Sequence, residues 1–208
     1  MGRENKMLKY LLLAVLFPAL AIALTKKLGE DYAWINRKII HFSSVPAILL
    51  FREGLVSGIE LAGAVMVFAI AQLATHIMKR ELSWYQIRNN YGEVFYCIMF
   101  SVMAVFMDVN YASAIMLVMA VSDGITGVLR FYYFRRNGFN VKLRKHWIGS
   151  VGYILSALII AFSILPDLNV PMKFAWSTIL MLAEYQKVID DNIAVPVVAV
   201  LIKPLFML

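Results

Sequence analysis

The sequence is poor in charged residues and in cysteine. Only 16% of its 208 residues are charged and 62% are hydrophobic, whereas charged residues make up about 25% of a typical soluble domain. This composition excludes an ordinary soluble globular protein and predicts an all-α, polytopic membrane protein. The single cysteine, Cys97, lies inside an apolar run, so neither a disulfide framework nor a cysteine metal site is possible.

The signatures of soluble nucleotide-binding and hydrolytic enzymes are also absent. The chain has no GxxxxGK[ST] phosphate loop, no glycine-rich kinase loop with HRD and DFG elements, no HExxH and no GxSxG. Its net charge of +7 does not indicate nucleic acid as a partner, because the basic residues lie between apolar runs and no aromatic-basic RNA-binding stretch occurs. We therefore attribute the positive charge to membrane orientation and to an anionic substrate.

The apolar runs predict a transmembrane helix bundle of about seven or eight spans. The runs cover residues 8–25, 39–51, 56–78, 94–107, 112–129, 149–165, 172–185 and 193–207, and the second, seventh and eighth are short for a full span. No repeat, low-complexity tract or linker interrupts the chain, which predicts one transmembrane catalytic domain over residues 1–208. The first run lacks a following cleavage site and is interpreted as a retained helix.

The basic residues predict the orientation of this bundle. If all eight runs are spans, 14 of the 20 Lys and Arg residues fall on one side. By the positive-inside rule this side is cytoplasmic and the N-terminus is outside. The same side receives His41, Glu93, Asp123 and Asp190, and ionisable groups near membrane depth indicate function because they are costly to bury.

The second run opens with Arg37, Lys38 and His41. Four positions separate Arg37 from His41, so a helix places both on one face, where they can bind an anion. The alternative is an interfacial anchor in which Arg37 and Lys38 extend to lipid headgroups. Glu93, at the start of the fourth run, is open to either a catalytic role or a favourable interaction with the helix dipole.

The fifth run is interrupted by Asp123 and by two glycines, Gly124 and Gly127, which allow a ligand to approach the backbone. A buried aspartate needs a partner. Phosphoryl transfer provides one, because a carboxylate holds the divalent metal or takes the hydroxyl proton. We predict that Asp123 has one of these two roles.

A basic loop follows and ends at the sixth run. Its candidate phosphate contacts are Lys142, Arg144 and Lys145, together with Gly149 and Ser150 at the expected helix start. Further along the chain, Asp190 and Asp191 offer oxygen ligands that suit magnesium, while Asn192 is interpreted as a helix cap.

Taken in order, these motifs resemble the CTP-dependent lipid-alcohol kinases, a family that includes dolichol kinases, phytol kinases and CTP-using diacylglycerol kinases. The resemblance covers roughly residues 37–200 and rests on Arg37-Lys38-x-x-His41, Ser122-Asp123-Gly124, Lys145-x-x-x-Gly149-Ser150 and Asp190-Asp191-Asn192 with Pro196. One departure is Ile148, which stands where dolichol kinases carry a glutamate. The chain is also much shorter than eukaryotic dolichol kinases and resembles the minimal core of prokaryotic members.

The resemblance implies a polytopic enzyme that uses Mg²⁺ or another divalent cation and transfers the γ-phosphate of CTP to a membrane polyprenol. It implies catalytic roles for Asp123, Lys145, His41 and Glu93 and metal binding by Asp123, Asp190 and Asp191. Arg37, Lys38, Lys142, Arg144, Gly149 and Ser150 would then bind the CTP phosphates.

The expected partners are CTP, the lipid alcohol and membrane lipids, and the expected location is a prokaryotic plasma membrane. Alternatives are a phytol, geranylgeraniol or diacylglycerol kinase, then a CTP-dependent lipid cytidylyltransferase, then a small transporter. A transporter predicts ionisable residues through the bundle, and Glu60 and His76 of the third run are the only scattered candidates. The oligomeric state is not predicted by any of these patterns.

Overall fold

The computed structural model of the chain describes residues 3–136 and 145–206, and every regular element in these two ranges is helical. This confirms the all-α prediction for the described part of the chain. The α-helices are α1 (Arg3–Thr25), α2 (Ala33–Phe42), α3 (Val45–Arg52), α4 (Gly58–Ile77), α5 (Gly92–Phe106), α6 (Val109–Leu117), α7 (Asp123–Arg136), α8 (Trp147–Ile164), α9 (Val170–Tyr185) and α10 (Asp191–Ile202).

Four helical segments of the described chain are long and apolar enough to cross a bilayer. They are Leu8–Leu28, Gly58–Ile77, Val109–Arg136 and Trp147–Ile164. Helix α1 exposes a stripe of leucines at every fourth position, namely Leu8, Leu12, Leu16, Leu20 and Leu24. An outward apolar stripe suits contact with lipid rather than water, so the fold agrees with an integral membrane protein.

The segment Val109–Arg136 forms the centre of the bundle. It joins α6 and α7 through one π-helical turn, Val118–Ser122, and 78% of its most apolar window is buried, against 17% for the window of Leu8–Leu28. π-Helical turns inside α-helices are frequent at functional sites. In this chain the turn ends directly before Asp123.

The second apolar run, residues 39–51, is broken into two helices and is not the single helix that the sequence indicated. The hydroxyls of Ser43 and Ser44 donate hydrogen bonds to backbone carbonyls three residues earlier, at 2.6 and 2.7 Å. Such bonds compete with the helical pattern, and Pro46 lacks the N–H that would continue it. The break separates the basic helix α2 from the apolar helix α3.

Several connecting segments meet at one end of the bundle, which we call the polar end: residues 26–32, 78–91, 145–146 and 186–190. Asn36 Nδ2 donates to Gly29 O at 3.1 Å and to Trp84 O at 2.6 Å, which ties the first two of these segments to α2. At the opposite end, Lys203 Nζ donates to Asp108 Oδ2 at 2.6 Å. The two ends differ in character because all the buried charged side chains of the described residues except Lys173, near the start of α9, lie at the polar end.

Candidate active site

Helix α2 carries Arg37, Lys38 and His41, and all three side chains are buried. Lys38 Nζ donates to Asp123 Oδ2 at 2.6 Å, and His41 Nδ1 lies 3.3 Å from the same oxygen. The other oxygen, Asp123 Oδ1, is buried without a hydrogen-bond partner among the residues that the structure describes. Asp123 is therefore held through one oxygen, and the second oxygen is available to a ligand.

Two glycines of α7 allow α2 to pack closely beside Asp123. A Cβ at Gly124 would lie 2.7 Å from the ring of Phe42, and a Cβ at Gly127 would overlap Lys38 Cε. The sequence suggested that these glycines admit a ligand. The structure shows that they admit side chains of α2, which places the Lys38 ammonium on the Asp123 carboxylate.

Glu93, in the first turn of α5, forms a second buried pairing with α2. Arg37 Nη2 lies 3.6 Å from Glu93 Oε2, and Arg37 Nη1 donates to Asn90 Oδ1 at 3.0 Å. His76 Nε2 lies 2.6 Å from Glu93 Oε1. His76 is therefore part of the polar end rather than a scattered residue, whereas Glu60 caps the far end of α4 in a capping box with Ser57.

A third carboxylate, Glu184 at the end of α9, was not among the predicted site residues. It is 1% exposed, and its Oε1 lies 2.6 Å from Lys145 Nζ and 3.3 Å from Arg130 Nη2. Lys145 Nζ also donates to Asp191 Oδ2 at 2.8 Å. The signal was present in the sequence as an isolated glutamate at the end of an apolar run, where a charge is costly without partners.

Asp123, Glu184 and Asp191 form a carboxylate cluster. One oxygen from each lies within 4.8 Å of the others, close enough for all three to bind one ion. Magnesium and similar hard cations take carboxylate oxygens as ligands, and the unpartnered Asp123 Oδ1 is the kind of atom that an ion would satisfy. The residues present therefore fit a divalent cation.

Asp190 does not lie where the metal-binding role suggested by the sequence would place it. Its Oδ1 accepts hydrogen bonds from the backbone N–H of Asn192 at 3.0 Å and from Asn192 Nδ2 at 2.9 Å, so Asp190 is the N-cap of α10. Asn192, which the sequence assigned to capping, is instead the residue whose N–H is capped. Only Asp191 of this pair reaches the carboxylate cluster.

Two pKa shifts follow from this arrangement, both outside the membrane-spanning helices. Burial lowers the pKa of Lys145, but the carboxylates of Asp191 and Glu184 outweigh burial, so the pKa is raised above its ordinary value. Burial, and then the charge of Asp191, raise the pKa of Asp190. Lys145 consequently remains a fixed positive charge between two carboxylates.

The N-terminus of α8 differs from the expected phosphate-binding start at Gly149. The helix begins at Trp147, with the His146 side chain as N-cap. The Gly149 N–H already donates to His146 O at 3.0 Å, and Thr126 Oγ1 donates to Gly149 O at 3.0 Å. A Cβ at Gly149 would lie 2.8 Å from Thr126 Cγ2, so this glycine allows close packing of α7 against α8.

The remaining predicted phosphate contacts divide into two groups. Ser150 lies in the first turn of α8 and is partly exposed. Lys142 and Arg144 lie outside the described residues. Arg130, which was not among the predicted phosphate contacts, is the cation that joins Lys145 at Glu184.

Two clefts meet at the polar end. The first, between α1, α2, α4 and α5, is lined mainly by aliphatic and aromatic side chains and has a cavity volume of about 70 Å³; Arg37, His41 and Glu93 are among its few polar residues. The second is polar and includes Lys38, Arg130, Lys145 and Asp191 in its wall. Arg37 lines both clefts, so its side chain borders an apolar and a charged compartment.

The chain was compared with protein-family models, curated proteins and solved structures, and none of them matches it.

Proposed function

We propose that this protein is a membrane-embedded CTP-dependent kinase that transfers the γ-phosphate of CTP to the hydroxyl of a polyprenol, giving polyprenyl phosphate. One observation carries the proposal: Arg37 borders both an apolar cleft and a charged cleft, and the wall of the charged cleft includes Asp191 of the carboxylate cluster that fits a divalent cation. A reaction between a lipid and a nucleotide needs both compartments side by side.

The polar cleft has the charges that a triphosphate requires. Arg37, Lys38, Arg130 and Lys145 line it, and all four belong to the cytoplasm-facing set predicted from the sequence. Phosphoryl transfer is accelerated mainly by positioning and by stabilising negative charge on the phosphate oxygens. Arg37 is well placed for this role because it also borders the lipid cleft.

The carboxylate cluster supports the expectation of a divalent cofactor. Asp123, Glu184 and Asp191 would hold Mg²⁺, and the contact with Lys38 fixes the orientation of the Asp123 carboxylate. A cation bound there would supply charge neutralisation for the phosphates of the nucleotide. This set retains Asp123 and Asp191 from the sequence-based prediction and replaces Asp190 by Glu184.

The apolar cleft supports a lipid acceptor. Its walls come from α1, α4 and α5, and the first two of these helices expose apolar side chains on their outer faces. Ligand pockets commonly combine such walls with a few polar groups that fix one end of the ligand. The lipid hydroxyl would bind near Arg37, His41 and Glu93 while the tail extends toward the bilayer.

The membrane topology is part of the proposal. Counting α2 with α3 and α6 with α7 as single passes, the helices make eight passes, with the N-terminus outside and the polar end in the cytoplasm. The charge bias of 14 against 6 basic residues supports this orientation. We propose a prokaryotic plasma membrane as the location and residues 1–208 as one catalytic domain.

CTP as the donor and polyprenol as the acceptor rest on the resemblance to the CTP-dependent lipid-alcohol kinases. A phytol, geranylgeraniol or diacylglycerol kinase would use the same site. A lipid cytidylyltransferase would use the same donor but release pyrophosphate, and a transporter would transfer no phosphate.

Product analysis distinguishes these activities. Purified protein in detergent is incubated with Mg²⁺, with γ-labelled or α-labelled CTP or ATP, and with polyprenol, phytol, diacylglycerol or a lipid phosphate. We expect label from γ-labelled CTP, and none from α-labelled CTP, in extracted polyprenol. Label from α-labelled CTP in lipid would identify a cytidylyltransferase, and no labelled lipid from folded protein would contradict the proposal.

A further inference from the structure

Glu93 has an unusual hydrogen-bonding pattern for a buried carboxylate. The residue is 5% exposed, and its Oε1 lies 2.6 Å from His76 Nε2. Its Oε2 is buried and has no hydrogen-bond partner in the described residues, since Arg37 Nη2 at 3.6 Å is near enough for an ion pair only. A buried oxygen left without a hydrogen bond indicates a position that a ligand fills.

The location of Glu93 identifies the kind of ligand. Glu93 lines the apolar cleft and marks its polar inner end together with Arg37 and His41. Within residues 3–136 and 145–206, His41 Nε2 is buried without a hydrogen-bond partner, while His41 Nδ1 lies 3.3 Å from Asp123 Oδ2. The ligand that fits there is an apolar molecule with one hydroxyl group, and this hydroxyl can donate a hydrogen bond to Glu93.

The two oxygens of Glu93 have different neighbours. His76 lies between two carboxylates, with Nε2 2.6 Å from Glu93 Oε1 and Nδ1 3.7 Å from Glu81 Oε1. The ring of His76 also packs against Tyr91, with ring centroids 4.8 Å apart, and Gln86 Nε2 lies 3.5 Å from Glu93 Oε1. Oε1 is therefore held by His76 and Gln86, whereas Oε2 has only the ion pair with Arg37 and accepts no hydrogen bond from the described residues.

We propose that Glu93 is the general base of the reaction, that it takes the proton of the lipid hydroxyl, and that His76 is its positioning residue. This inference rests on the proposed kinase function. The hydroxyl oxygen forms a bond to the γ-phosphorus while its proton passes to Glu93 Oε2. The bond between that phosphorus and the bridging oxygen breaks, and the electron pair leaves with the nucleoside diphosphate.

This assignment separates two roles that the sequence left together at Asp123. Asp123 belongs to the carboxylate cluster, and one of its oxygens is bound by Lys38 at 2.6 Å. It is not among the residues that line the apolar cleft, whereas Glu93 is. Asp123 thus holds the metal, and Glu93 meets the hydroxyl.

The experiment compares wild-type protein with Glu93→Gln and Glu93→Asp in the γ-labelled assay, measuring kcat and KM for both substrates. The control is Glu60→Gln, the same carboxylate-to-amide change at the opposite end of the bundle, where a capping box accepts either side chain. General bases contribute about 100- to 10,000-fold. We expect kcat of Glu93→Gln to fall by at least about 100-fold, with each KM changed less than about threefold.

The conservative variant covers the case in which Glu93→Gln does not fold. Glu93→Asp keeps the charge and withdraws the carboxylate by one methylene, and we expect an intermediate kcat. An unchanged kcat in Glu93→Asp, or a Glu93→Gln enzyme within threefold of wild type, overturns the inference and leaves the kinase function standing. Wild-type protein that phosphorylates no lipid alcohol overturns the kinase function itself, and the inference with it.

The positioning role of His76 has its own test. If His76 acts only through Glu93, the Glu93→Gln/His76→Ala double variant has the same kcat as Glu93→Gln alone, because the two residues act as a unit. Added imidazole should restore part of the activity of His76→Ala but none of that of the double variant. Multiplicative losses in the double variant would show that His76 acts independently of Glu93.

Discussion

Lys38 Nζ and Asp123 Oδ2 lie 2.6 Å apart although 85 positions separate the two residues in the chain. Both side chains are buried, so each charge depends on the other for compensation. Breaking a buried pair by removing one partner costs about 3–5 kcal/mol, because the remaining charge is left unpaired. The same contact therefore stabilises the α2–α7 interface and fixes the orientation of the Asp123 carboxylate, which we assign to the metal.

Asp123→Asn removes the charge of this carboxylate while keeping its shape. We expect kinase activity to fall by at least about 100-fold. Residues that only hydrogen-bond to a metal ligand already change metal affinity or activity by about 10- to 100-fold. The assay is γ-label transfer to polyprenol, with elution from a sizing column as the measure of folding.

The matched control for that variant is Asp108→Asn, at the opposite end of the bundle. Asparagine caps a helix as well as aspartate does, so this change removes only the ion pair with Lys203. We expect near wild-type activity. Full activity of folded Asp123→Asn would remove Asp123 from the site.

Gly127→Ala tests the close packing of α2 on α7. The added methyl group overlaps Lys38 Cε, so we expect Lys38 to move away from Asp123 and activity to fall by at least tenfold. The control is Gly63→Ala, in the middle of α4, where a Cβ meets no atom within 4 Å. That change should retain activity and stabilise the helix by up to about 1 kcal/mol, which thermal unfolding in detergent measures.

The apolar runs were sufficient to predict an all-helical fold with membrane-spanning helices. They did not predict the break between α2 and α3, because the hydrophobicity of residues 39–51 is continuous. The break depends on hydrogen bonds from Ser43 and Ser44 to the backbone, which compete with helical geometry without lowering the apolar content of the run.

The candidate site was predictable where charges form local motifs. Arg37, Lys38, Asp123 and Asp191 all reach the polar end. Glu184 was missed because it stands alone in the sequence, and its partners Arg130 and Lys145 come from α7 and from the segment before α8. Such contacts depend on the packing of α7, α8 and α9, which no local pattern specifies.

Asp190→Asn and Asp191→Asn distinguish a helix cap from a metal ligand at adjacent positions. Asparagine caps as well as aspartate does, so Asp190→Asn should keep both Mn²⁺ binding and activity. Asp191→Asn removes one carboxylate of the cluster and should weaken Mn²⁺ binding by at least tenfold. Electron paramagnetic resonance of free Mn²⁺ measures both constants. Equal losses in the two variants would contradict the division of roles.

Lys145→Met gives the most specific prediction about the carboxylate cluster. The Lys145 ammonium lies 2.6 Å from Glu184 Oε1 and 2.8 Å from Asp191 Oδ2. It therefore occupies the side of these oxygens that a metal would use, and a cation there opposes the binding of a second cation. Without nucleotide, we expect Lys145→Met to bind Mn²⁺ at least tenfold more tightly, a gain of about 1.4 kcal/mol.

In the complete reaction the same variant should lose activity, because the ammonium would move from the carboxylates to the phosphates of bound CTP. Lys203→Met, which removes a paired lysine at the opposite end, should change neither quantity. Weaker Mn²⁺ binding in Lys145→Met would mean that the lysine organises the carboxylates rather than competing for them.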